Sequence, residues 1–222
     1  MRVFRLSGQE IAAQRCRQAL QAQRAHSDAV EYGVDKSFMK IAGFVGANRE
    51  LLMQLDQVLS RIDGEQYAQH LSNVFDASLG GHVRHLLDHY ENFFSSVLET
   101  YPSEPDELRL SDRRPMVNYD SRQRDRLVEV ELDVARGRIE RICQTLESMP
   151  RKDVEVDIIL QIDHAPENAL QRTTLARELS FLHSHSVHHM AIISYMLRAM
   201  GVDDMPNTFG IAPSTIKYRE AM

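Results

Sequence analysis

Seven of the ten histidines in this 222-residue chain stand in two short windows, HVRHLLDH at residues 82–89 and HSHSVHH at residues 183–189. On a helix, side chains three, four or seven positions apart share one face. His82, His85 and His89 therefore line a single face, together with Phe93. His185 and His189 share a stripe with Leu182, Ile192 and Met196, so they point inward, whereas His183 and His188 fall off that stripe. A buried imidazole without a partner costs about 1–3 kcal/mol, and crowded imidazolium ions repel one another. The pattern thus favours a fold in which two helices lay their histidine faces together around something that uses nitrogen lone pairs. A divalent cation bound by neutral imidazoles meets that requirement.

The rest of the chain reads mainly as helices. Ser7 to Glu10 has the form of a capping box, which predicts a helix from about residue 8 to about residue 30. Asp35 precedes a second helical stretch, carried by Phe38, Ile41, Phe44, Val45, Leu51, Leu52, Leu55, Val58, Leu59 and Ile62. Gly43 and Gly46 weaken its middle, and Gly64 reads as its stop. A third helix is predicted over 79–100, ended by Pro102. A loop rich in Pro, Arg, Asp and Ser follows, then a fourth helix over 122–148, ended by Pro150. Residues 153–162 alternate strictly at Val154, Val156, Ile158, Leu160 and Ile162, which is the period of a strand. No segment stands out as its partner, so it reads as an edge ribbon or as pairing with another chain. The last long helix is predicted from Thr173 or Thr174 to Met200, closed by Gly201, and the tail from Asp203 reads as irregular. The expected class is all-α: a four-helix bundle over 46–222, with a helical extension over 1–45 and a short strand or ribbon before the last helix.

Composition excludes several function classes. The net charge is −6 and residues 1–40 are only mildly basic, which argues against nucleic acid as a partner. No apolar run is long enough for a bilayer, and the N-terminus lacks the apolar core of a secretory signal. Two unpaired cysteines, Cys16 and Cys143, give no disulfide framework and point to a reducing cytoplasm.

Two nitrogens from one helix and one from another would make a three-histidine site with open positions. His85 sits mid-face and can lie level with His185 and His189, which makes His85, His185 and His189 the first candidate ligand set. The converse set, His85 and His89 with one histidine of the last helix, fits the spacing as well. His82 and His89 are candidate helpers, as substrate contacts, proton carriers or groups that orient a ligand. Glu178, two turns before His185, is a third candidate helper, as a base or as an orienting carboxylate. Asp88 either bonds an imidazole or faces water. Cys143 occupies a core-like position without a flanking base.

The phrases GGHVRHLLDHYENFF and HSHSVHHMAII, with FGIAPST after the last helix, resemble the DinB-like (YfiT-like) superfamily of four-helix-bundle metalloproteins. The resemblance covers residues 46–216. It implies a metal held by His85 from the second bundle helix and by the His185 and His189 pair from the fourth. It also implies a homodimer, and activities such as thiol-dependent transfer, thiol-dependent isomerisation or a part in iron-dependent sulfoxide synthesis.

Three neutral histidines suit zinc, nickel or ferrous iron. Zinc lowers the pKa of bound water to about 7, which serves hydrolysis. A low-molecular-weight thiol cosubstrate would serve group transfer with the same Lewis acid. The leading expectation is thus a metal-dependent thiol transferase or hydrolase acting on a small molecule. The alternatives are a bundle that binds a metal or ligand without turnover, as a sensor or store, and a dimeric structural module.

Overall fold

The computed structural model describes residues 41–72, 76–98, 114–121, 123–149, 156–165 and 169–222, all within one compact unit, Met39–Met222. The helix expected over 8–30 lies outside the described residues.

Helix α1, Ile41–Leu59, buries Ile41, Asn48, Leu51, Leu52, Leu55, Val58 and Leu59 along one stripe. It runs unbroken through Gly43 and Gly46. Gly64 does not stop it. Instead Asp63 caps a short helix α2, Gly64–Ala68, through a reciprocal box with Gln66. Its Tyr67 is fully buried and donates its hydroxyl to the Val128 carbonyl at 2.6 Å.

Helix α3, Leu79–Leu98, begins where the Ser78 hydroxyl accepts the Gly81 N–H at 3.0 Å. The helix expected over 122–148 is in fact two. Asp125 caps α4, Arg126–Val130, and Glu131, in extended conformation, separates it from α5, Leu132–Ser148. The break lets the backbone of α4 press on the start of α3. A Cβ placed on Gly80 would lie 1.9 Å from the Glu129 carbonyl oxygen, so this approach requires glycine.

The strand segment has partners inside the chain, which corrects the expectation of a lone ribbon. Strand β2, Asp157–Ile162, lies between β1, Met116–Val117, and β3, Ala169–Thr174. It pairs parallel with β1, Met116 opposite Ile159, and antiparallel with β3, Ile162 opposite Ala169. Val117 and Ile158 are fully buried, so one face of the sheet joins the core.

β3 feeds directly into α6, Leu175–Ala199, whose first turn is capped by the Thr174 hydroxyl. Gly201 follows with positive φ, as expected of a helix stop. The tail is not wholly irregular: Pro213 opens a helix α7, Pro213–Glu220. Before it, Phe209 is buried and Gly210, also at positive φ, presses on the backbone of α6 at Met190 and Ala191.

The long helices form a four-helix bundle. α1 and α3 each pack against both α5 and α6, so α3 and α6 are neighbours along their length. This adjacency brings the two histidine windows together. No described helix is long and apolar enough to cross a membrane.

Candidate metal centre

α3 supplies His82, His85 and His89, and α6 supplies His185 and His189 from the facing side. Ring nitrogens of His85, His89 and His185 all lie within 4.8 Å of one another. Nε2 of His85 and Nε2 of His185 face each other at 3.2 Å. Two ligands of a tetrahedral zinc ion, with bonds of about 2.0–2.1 Å, stand about 3.3 Å apart, so this separation matches a shared cation. His89 donates its Nδ1–H to the His85 carbonyl one turn earlier, at 2.8 Å. That bond fixes the tautomer and puts the His89 lone pair on Nε2, as a ligand requires.

His189 lies against the same cluster, its ring 4.5 Å from both His85 and His185. Its Nδ1 faces Nδ1 of His82 at 3.3 Å. Burial, and then the neighbouring rings of His185, His85, His82 and His188, lower its pKa to about 2. Burial, followed by His188, also pulls His82 below the ordinary imidazole value. In these two rings the neutral imidazole, the form that binds a cation, is favoured. His188 is exposed and His183 half-buried, as their positions off the stripe suggest.

Glu178 is not a solvent-side carboxylate. It is 2% exposed and accepts at both oxygens, from the Tyr119 hydroxyl at 2.8 Å and the Thr173 hydroxyl at 2.7 Å. Tyr119 in turn stacks on His89, with ring centroids 5.3 Å apart and planes at 19°, and packs on Phe181. Burial, then the Glu178 carboxylate, pushes its hydroxyl above the usual phenol range. Nothing in the sequence around Tyr119 marks it, since it lies in a polar loop and reaches the histidines only through the sheet.

Asp88 is buried and pairs with Arg84 at 2.9 Å, and Arg84 also reaches Glu129 at 3.0 Å. An open pocket of about 330 Å³ leads to the cluster beside His82, Arg84, His85, Glu129 and His189. A larger groove of about 1360 Å³ runs between α1 and α5, but the ion pairs Arg49–Glu147 and Arg136–Asp56 occupy its walls and no histidine lines it. Cys143 belongs to that groove, and burial raises its thiol pKa, which weakens it as a nucleophile.

Comparison with known proteins agrees with this architecture. Residues 44–215 match the DinB family. The chain is also similar to FK506-binding protein 5 of Rhizopus delemar, 30% identical over 106 residues, which are 46% of this chain and 27% of that protein. The similarity thus spans about a quarter of that relative's length. No solved structure matches the chain significantly. A bundle whose second and last long helices bring histidines together, and a match over more than three quarters of the sequence, lead to one assignment: the chain belongs to the DinB family.

Proposed function

We propose that this protein is a metal-dependent enzyme acting on a small molecule by thiol transfer or hydrolysis. The observation that carries the reading is the convergence of His85, His89 and His185, with two Nε2 atoms 3.2 Å apart. His85 belongs to every ligand set, and His185 both to the first candidate set and to the group that converges. For the third position, the His89 tautomer and its nitrogen distances favour His89, and the family resemblance favours His189. A bound divalent ion, zinc, nickel or ferrous iron, would act as a Lewis acid on a substrate oxygen or a thiol sulfur.

The chain's own residues supply the remainder. His82 lines the open pocket beside His85 and His189, where it can exchange a proton with an entering molecule. Arg84 and Glu129 on the pocket wall favour a polar substrate over an apolar one. Phe181 and Tyr119 shield the far side of the cluster. A low-molecular-weight thiol cosubstrate, a homodimer and a cytoplasmic setting complete the proposal, on the strength of the family resemblance and the cysteine usage.

The test is elemental analysis of untagged protein from cells grown with zinc, nickel and iron, joined to a screen of small thiols for binding. About one equivalent of a divalent metal per chain is expected. Less than about a tenth of an equivalent would overturn the reading.

A further inference from the structure

The buried Glu178 carboxylate is tied to the histidine cluster through one side chain. Tyr119 donates its hydroxyl to Glu178 and lays its ring flat on His89. Thr173 holds the other Glu178 oxygen. His89 is therefore gripped twice: its Nδ1–H is bound by the His85 carbonyl, and its face is covered by a ring whose far end is anchored.

The loop that carries Tyr119 is itself fastened. Strand β1, just before it, pairs with β2. Asn118 donates its side-chain amide to Asp163 at 2.8 Å and accepts the Asp120 N–H at 2.9 Å. Asp120 accepts the Asp163 N–H at 3.2 Å and faces the His164 ring at 3.0 Å. The small sheet thus presents one aromatic side chain to the histidine cluster from a fixed position.

We propose that Tyr119 is a positioning residue of the metal centre, holding the His89 ring so that Nε2 aims at the ion, and that Glu178 acts through Tyr119 by anchoring its hydroxyl. The inference rests on the metal reading above. It assigns Glu178 a supporting role rather than that of a base. Groups that orient a metal ligand from behind alter affinity by about 10–100-fold when lost, and a ring free to tilt also changes the ligand field.

The experiment uses cobalt(II) as the probe, with the whole chain, in wild type, Tyr119→Phe, Tyr119→Leu and Glu178→Gln. Dissociation constants come from competition with a chelator, and visible absorption reports the ligand field. Tyr119→Phe keeps the stack and loses the anchor, so its dissociation constant should rise about tenfold. Tyr119→Leu loses both and should rise further, with an altered visible band. Glu178→Gln keeps an acceptor for the hydroxyl and should fall between wild type and Tyr119→Phe. Melting of each metal-free variant separates a folding defect from a binding defect. If wild type binds cobalt and Tyr119→Leu matches it in affinity and spectrum, Tyr119 is merely structural and the inference is overturned alone. If wild type binds no cobalt, the metal reading falls and the inference with it.

Discussion

Tyr90 donates its hydroxyl to the side-chain oxygen of Asn48 at 2.7 Å, deep between α3 and α1, with both residues fully buried. The Asn48 amide reaches the carbonyls of Phe44 and Leu179, and the Ser186 hydroxyl donates to Tyr90 at 3.1 Å. This network joins three of the four long helices directly beside His89 and His185. Tyr90→Phe leaves the Asn48 oxygen and the Ser186 hydroxyl without that partner, at a cost of about 1–3 kcal/mol. Urea unfolding of metal-free protein checks this, and a loss well under half of a kcal/mol would mean that water replaces the bond.

A bound ion stabilises by mass action. Chelator treatment is therefore expected to lower the melting temperature of wild type but not of His85→Ala or His185→Ala. His89→Ala and His189→Ala decide the third ligand, because the variant that loses the chelator response identifies it. An equal response in all four variants and wild type would leave no role for the cluster in binding.

Acid should weaken the metal-free fold. His82, His183 and His189 are all held below the ordinary imidazole value, burial being the first cause in each. In the unfolded chain each takes up a proton near pH 6.5, which the folded protein resists. The unfolded state then binds more protons, so stability falls as pH drops below about 6.5 and these rings contribute no slope above about pH 7.5. Glu91, raised by burial, pulls the other way as a single group at lower pH. Melting scans with chelator should show the decline, and a profile that rises toward pH 5 would contradict it. Metal should be lost by about pH 5, since protons compete with it for the ligand nitrogens.

Gly210 combines positive φ with contact against α6, where a Cβ would lie 2.5 Å from the Ala191 nitrogen. Gly210→Ala meets backbone strain and a clash together, for an expected loss of about 1–3 kcal/mol. Thermal unfolding against wild type measures it, with Gly64→Ala, which meets no atom within 4 Å, as the comparison.

The helices and the histidine faces were legible because periodicity of apolar side chains survives in a single sequence. Leu182, Ile192 and Met196 place His185 and His189 correctly on the inner side of α6, and Thr174 marks its start. Asn48 stands four residues after Phe44 on an apolar stripe, a signal for a buried polar residue that the periodicity reading passed over. Other features depend on distant partners. β1 has two residues and β3 reads ALQRTT, so neither carries a strand pattern of its own. The break at Glu131 follows from docking of α4 on Gly80, which no local propensity encodes. Tyr119 reaches His89 through the sheet, so its part in the centre appears only in three dimensions.

All five clustered imidazoles come from two rods, α3 and α6. A slip of one along the other by a single turn, about 5.4 Å, would separate every cross-helix pair at the same moment. The Ser186 to Tyr90 bond pins those rods in register one residue away from His185 and His89. Under the proposed metal reading, cation capture would be a gauge of alignment, because a chain that docks α6 out of step would offer an ion no shared point.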